Sequence, residues 1–163
     1  MSRKTIYLAS PLGFAASTHG FMVDLAARLR QVVEVLNPWD DQRFAEEFQH
    51  LATVDSVRAR VSRLAEINTE LGRRNTECID AAEGLLAVLD GVDVDSGTAA
   101  EIGYAFARGK RVYGLRTDFR LAGDNHGSIV NLQVQYFIEQ SGGQVVMSTA
   151  ELIDLAQMFN AEP

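Results

Sequence analysis

Short apolar runs closed by turn signals alternate along this chain with segments of helical spacing, and that alternation restricts the fold more than any other feature. The first run is Thr5-Ile6-Tyr7-Leu8-Ala9, stopped by Ser10-Pro11-Leu12-Gly13. Residues 32–36 form a β-branched run ending at Asn37-Pro38, and residues 85–89 form a third that ends at Asp90-Gly91. Residues 112–115 and 145–147 complete five candidate strands. Between them, Phe21, Leu25 and Leu29 fall at helical spacing, and a long helix is expected from about residue 55 into the low eighties. Residues 98–108 read as helix with Gly109 as its stop, and Ser148-Thr149-Ala150-Glu151 is a capping box opening a last helix to about Phe159. Residues 116–144 show no clear pattern and read as loop. Strand alternating with helix implies βαβ units and a mostly parallel sheet with helices on both faces. The expected fold is therefore a flavodoxin-like or Rossmann-like doubly wound α/β domain of five strands. Such sheets bind ligands beyond the carboxyl ends of their strands.

The length, 163 residues, suits a single domain spanning 1–163 that buries roughly 70% of its unfolded surface. A lone cysteine, Cys78, excludes an internal disulfide framework and reads as a packed small hydrophobe. With 22 acidic against 15 basic residues, the net charge of −7 argues against nucleic-acid or anionic-membrane partners. No apolar run approaches 18 residues, and the apolar stretch after Met1 is too short for a signal peptide. A cytoplasmic protein is expected. The first loop lacks the Gly-x-Gly-x-x-Gly of dinucleotide sites, and no phosphate-binding Gly-Lys-Ser/Thr ending occurs. Counting twelve from Asp93 reaches Tyr104, where a calcium loop requires Glu. His19, His50 and His126 share no ligand spacing. Neither a metal nor a cofactor is expected.

The chemistry concentrates in Asp93-Val94-Asp95-Ser96-Gly97-Thr98-Ala99-Ala100-Glu101, which follows the third strand and opens a helix. Thr98 and Glu101 stand at capping-box spacing, so Glu101 could simply tie off backbone N–H groups. Alternatively, Glu101 sits in the first helical turn at the ligand face, held ionised by the helix dipole and suited to act as a nucleophile or to anchor a sugar hydroxyl. On the long helix, Val57, Val61, Leu64, Asn68, Leu71, Asn75, Cys78 and Ala82 form one stripe, in which two asparagines interrupt an apolar face. A structural bond to nearby backbone is expected for Asn68. Asn75, nearer the third strand, could face a ligand.

Thr5-Ile6-Tyr7-Leu8-Ala9-Ser10-Pro11, Pro38-Trp39-Asp40-Asp41-Gln42, Asp95-Ser96-Gly97-Thr98-Ala99-Ala100-Glu101-Ile102-Gly103-Tyr104 and Asn131-Leu132 together resemble the nucleoside 2-deoxyribosyltransferases. The resemblance runs in order along nearly the whole chain. It implies exchange of the base of a 2′-deoxynucleoside through a covalent deoxyribosyl-enzyme. Glu101 falls on the family's nucleophile, Tyr7 on the tyrosine that orients it, and Asp95 on the acid that accepts the sugar 5′-hydroxyl. Gln42 matches a base-contacting glutamine and Gly97 lies within the substrate-binding segment. Phe14 could stack on a base or pack as a core residue under the first loop. Asn131 matches an asparagine that reaches into a neighbouring subunit's site, which implies a homo-oligomer. Where family members place an Asp that protonates the departing base, this chain has Asn75, and an amide cannot deliver a proton. Asp40, Asp41 or a bound water stand as substitutes. Ala9, Leu12 and Gly13 are candidates for the wall near the 2′ carbon. Two other activities compete: a 2′-deoxynucleoside 5′-monophosphate N-glycosidase, which the Asp95 carboxylate disfavours by repelling phosphate, and a non-catalytic nucleoside-binding module.

Overall fold

Five strands form one sheet in the computed structural model, which describes residues 3–162. They are β1 (Thr5–Ala9), β2 (Glu34–Leu36), β3 (Gly84–Val88), β4 (Arg111–Leu115) and β5 (Val145–Val146). Their order is β2-β1-β3-β4-β5 and every neighbouring pair is parallel. The sheet is thus wholly rather than mostly parallel, and the order is that of the flavodoxin-like arrangement. Six helices cover it: α1 (Ala16–Leu29), α2 (Ala45–Ala52), α3 (Val57–Ala81), α4 (Ser96–Ala107), α5 (Leu132–Gln140) and α6 (Thr149–Ala161).

Strand pleat divides the core in two. Ile6 and Leu8 of β1 and Leu86 and Val88 of β3 pack with Leu25 and Leu29 of α1 and Leu152 and Phe159 of α6. Tyr7, Ala9, Leu85 and Ala87 face the opposite way, against Ile79 of α3, Ile102 and Ala105 of α4, and Val134 and Ile138 of α5. Because both faces are covered, the strands read as continuous apolar runs rather than alternating ones. The order reverses between β1 and β3, so the crevice beyond their carboxyl ends is where a ligand would sit.

Several expectations change. Residues 116–144 are not all loop, because α5 occupies part of them, with Val130, Val134 and Ile138 at a spacing of four. Helix α2 was not anticipated. The long α3 stripe is not buried along its length: Leu64, Leu71, Asn75 and Cys78 are half-buried and Val57, Val61 and Asn68 are exposed, while the buried residues of the helix, Ile67 and Ile79, lie off the stripe. Asn68 therefore meets solvent and needs no backbone partner. Helix α4 begins at Ser96 with Asp95 as its cap, two residues ahead of the expected start, and Gly109 follows its end at φ +70°. The capping box opening α6 forms as expected, with Ser148 Oγ accepting the N–H of Glu151.

Beyond β4, Arg116 is wholly buried with no carboxylate in ion-pair range among the described residues. Its Nη1 donates to the carbonyl of Leu89 at 2.6 Å, and its Nη2 donates to those of Gly91 at 3.2 Å and Arg120 at 2.6 Å. Asp90 returns the tie: its carboxylate accepts Thr117 N and Thr117 Oγ1, both at 2.6 Å, and Asp118 N at 2.8 Å. The loops after β3 and β4 are locked to one another by charge-assisted bonds to backbone. Arg116→Met strands three carbonyls and should lower stability by about 3 kcal/mol, read as a lower denaturant midpoint at constant slope. A midpoint equal to that of the parent would show that the clamp contributes nothing.

Candidate active site

The pleat of β1 turns Tyr7 toward α3 and α4, so a tyrosine with no exposed surface reaches the carboxylate of Glu101 on α4. Its hydroxyl donates to Glu101 Oε1 at 2.6 Å. From α3, Asn75 Nδ2 donates to the same oxygen at 3.3 Å. Both bonds fall on Oε1, and Oε2 has no hydrogen-bond partner among the described residues. Asp95 caps α4, its Oδ2 accepting the N–H of Thr98 at 3.0 Å. Glu101 is the sixth residue of the helix, in its second turn, so the expected Thr98–Glu101 capping box does not form.

Burial therefore sets the charge state of Glu101, because a helix dipole fades beyond the first turn. Desolvation lifts its carboxyl above the ordinary glutamate value, and the Asp95 charge adds to the rise. The hydrogen bonds from Tyr7 and Asn75 pull it back. Burial, then the Glu101 charge, push the Tyr7 phenol far above the usual tyrosine range, so it stays a donor.

These groups open onto a cleft of about 320 Å³, lined by Phe14, Trp39, Asn75, Asp95, Gly97 and Glu101 with Ser10, Pro11, Pro38, Ser96 and Thr98. Trp39 Nε1 donates to the carbonyl of Ser10 at 2.8 Å, tying the loop after β2 to the loop after β1. The indole lies so close on Gly13 that a Cβ there would stand 2.1 Å from Cδ2, so the position takes only glycine. Phe14 is exposed and meets Trp39 edge to face at 4.6 Å. It is a cleft aromatic, not a core residue under the loop.

The sequence profile of the family described as nucleoside 2-deoxyribosyltransferase matches residues 6–133, which contain every side chain of this site. This chain belongs to the nucleoside 2-deoxyribosyltransferase family. It is similar to a conserved protein from Enterococcus faecalis V583, at 26% identity and TM-score 0.67, covering 97% of this chain and 99% of that one. A 2-desoxiribosyltransferase from Leishmania mexicana is 23% identical at TM-score 0.61, covering 93% and 97%. The CMP N-glycosidase BcmB from Clostridium botulinum is 19% identical at TM-score 0.51, also covering 93% and 97%. These two likenesses are likenesses of fold. No curated protein sequence matches the chain.

Of the residues expected at the site, Tyr7, Phe14, Asn75, Asp95, Gly97 and Glu101 come together in or beneath the cleft. Gln42 does not line it. Its Nε2 donates to the carbonyl of Trp39 at 3.2 Å, and it borders a neighbouring cavity of about 340 Å³ with His19, Arg30 and Asp40. Asn131 caps α5, accepting the N–H groups of Gln133 and Val134, and lies outside the cleft of its own chain. Asp40 is paired with Arg30 and Asn37, and Asp41 with Arg43 and Arg74. Neither borders the cleft. Ala9 is core, and neither it nor Leu12 nor Gly13 lines the cleft, to which the first loop contributes Ser10, Pro11 and Phe14. Trp39 escaped assignment, although a sole tryptophan in the turn after a strand, next to Pro38, was a usable signal.

Because the folded state raises the Glu101 pKa, it holds that proton more tightly than the unfolded chain does. The stability this contributes is complete below the unfolded value and is lost as pH rises through the folded one. Glu101→Gln removes the desolvated charge. The variant should resist denaturant better than the parent at neutral pH, with the difference vanishing toward the ordinary glutamate pKa of about 4.3. A difference independent of pH would contradict the assignment.

Proposed function

We propose that this protein exchanges the nucleobase of 2′-deoxynucleosides by a retaining double displacement through a deoxyribosyl ester of Glu101, with hydrolysis when water replaces the acceptor base. The observation that carries this reading is the asymmetry of the Glu101 carboxylate: Tyr7 and Asn75 hold one oxygen and leave the other unpartnered at a cleft. In the first displacement the C1′–N bond breaks with its electron pair going to the base, and a Glu101 oxygen forms the new bond to C1′. The transition state is oxocarbenium-like, so an adjacent carboxylate both stabilises it and traps the sugar. In the second, the acceptor base attacks C1′ from the vacated face and Glu101 leaves as carboxylate. Two inversions give net retention. Asp95 accepts the sugar 5′-hydroxyl, and Phe14 and Trp39 offer aromatic surface to the base. A ribose 2′-hydroxyl withdraws electrons and raises the oxocarbenium barrier, which favours 2′-deoxy sugars.

A competing reading, N-glycosidase action on 2′-deoxynucleoside 5′-monophosphates, meets the Asp95 carboxylate where a phosphate would need donors. Chromatography of a 2′-deoxynucleoside incubated with and without a second free base tests both. A new deoxynucleoside should appear only with the acceptor and vanish in Glu101→Ala, by at least about a thousandfold in rate. Asp95→Ser should lose nucleoside turnover and gain turnover of the monophosphate. Free sugar released whatever the acceptor would instead establish a glycohydrolase, and no turnover of either substrate would leave a binding module.

The same reading extends to assembly as a homo-oligomer in which Asn131 completes a neighbouring subunit's site. Its Nδ2 has no partner among the described residues, while Val92, Phe119, Leu121, Leu132 and Tyr136 expose apolar surface on the loops after β3 and β4 and on α5. Sedimentation of the purified protein should give a dimer or larger species. A fully active monomer would exclude this arrangement.

A further inference from the structure

The departing base needs a proton or must carry negative charge, and the cleft offers few sources. Glu101 has to be ionised to attack. The Tyr7 hydrogen is committed to Glu101 at 2.6 Å, from a phenol that burial keeps protonated. Asp95 takes the N–H of Thr98, and in the reading above it holds the 5′-hydroxyl rather than the base. Trp39 Nε1 is spent on the carbonyl of Ser10. On the adjoining loop, Asp40 is bound by Arg30 and Asn37. Asp41 is held below the ordinary aspartate range against the opposing effect of desolvation, by the backbone N–H of Arg43 and the guanidinium groups of Arg74 and Arg43. His19 borders the second cavity, and His50 and His126 are exposed elsewhere. What remains near Glu101 is Asn75, whose Nδ2 carries a second hydrogen beyond the one aimed at Oε1.

We infer that the base leaves this site as an anion without a proton from the enzyme, and that the substrates are therefore 2′-deoxynucleosides whose base is a good leaving group. The inference deepens the transferase reading and rests on it. Asn75 hydrogen-bonds the departing base and spreads its charge but transfers nothing. The exchange still balances: the C1′–N bond breaks toward the base, the C1′–O bond to Glu101 forms, and the anion takes its proton from solvent. The acceptor base returns an equivalent proton to solvent as it attacks. An enzymic general acid contributes about 10²–10⁴-fold, and most where the leaving group is poor. Without one, rate follows leaving-group acidity steeply.

The test uses 2′-deoxyuridines carrying fluorine, hydrogen or methyl at C5, with one acceptor base in excess, on the wild-type protein and Asn75→Asp. Wild-type kcat/KM should fall at least about tenfold from the fluoro to the methyl compound. With the methyl compound, whose ring N–H stays protonated over this range, the wild-type pH profile should show the acid limb of Glu101 and then stay level from about neutrality to about pH 8.5. In Asn75→Asp, a second carboxyl beside Glu101 shares a proton with it and can act as the acid. That variant should raise the methyl compound's rate relative to the fluoro compound's by about tenfold and acquire an alkaline limb. Equal wild-type rates across the series, or a wild-type alkaline limb with the methyl compound, would overturn the inference and leave the transferase reading standing. An Asn75→Asp variant that slows all three compounds in equal proportion would overturn the part assigned to Asn75. Cleavage of 2′-deoxyadenosine offered beside them but of none of the three would overturn the inference, and failure to cleave any of the four would overturn the transferase reading itself.

Discussion

The hydrogen bond from Tyr7 to Glu101 joins the sheet to its helix layer at a depth where an isolated carboxylate would be expelled or protonated. It exists because of strand parity. Ile6 and Leu8 point into the α1–α6 layer, so Tyr7 must point into the other, where α4 brings Glu101 over the end of β1. Shifting β1 by one residue would send the tyrosine into the wrong layer and leave Glu101 with Asn75 alone. The same parity explains why a wholly apolar strand tolerates one phenol: its ring fills core volume and only its oxygen meets polar company.

Placing Glu101 is then a matter of placing α4, and that task falls to loops rather than to the sheet. Asp95 starts the helix by capping Thr98. Upstream, Arg116 grips the carbonyls of Leu89 and Gly91 while Asp90 grips the amides of Thr117 and Asp118. The segment delivering Asp95 is thus held from both sides by charged groups bonded to backbone, which is stiffer than contacts between side chains. On the opposite wall, Gly13 lets the indole of Trp39 settle on the first loop, and the bond from Nε1 to Ser10 sets its height. One wall is fixed by charge and the other by shape.

The layered architecture was legible in the sequence because buried parallel strands leave continuous apolar runs, and all five occur where those runs stand. The candidate site near the ends of β1 and β3 was picked out through a resemblance, and Tyr7, Asn75, Asp95 and Glu101 lie together at one cleft. What failed had physical reasons. Helix α5 hid because its apolar spacing begins at Val130, inside a polar stretch, before Asn131 caps the helix. The α3 stripe misled because periodicity records a face without recording whether anything covers it, and Val57 and Val61 are uncovered. Arg116 has no sequence signal at all, since a basic residue at the end of a strand ordinarily reaches solvent. Gln42 is the case where matched sequence and observed geometry part, its amide turned to the Trp39 carbonyl in the adjoining cavity.

Under the double displacement proposed above, the raised pKa of Glu101 is a compromise between two demands on one carboxyl. A nucleophile stripped of water attacks carbon more readily, yet the same desolvation favours its protonated, inert form. Tyr7 and Asn75 resolve the conflict by restoring ionisation through Oε1 while leaving Oε2 free of donors that would blunt it. Two neutral donors achieve this better than a cation would. A lysine or arginine in place of Asn75 would hold Glu101 ionised more firmly, but it would also stabilise the free carboxylate against the ester of the proposed exchange, and its positive charge would oppose an oxocarbenium ion developing beside it. Neutral donors lower the pKa of the carboxyl modestly and leave the negative charge available to the sugar, which is what a double displacement through a glycosyl ester requires.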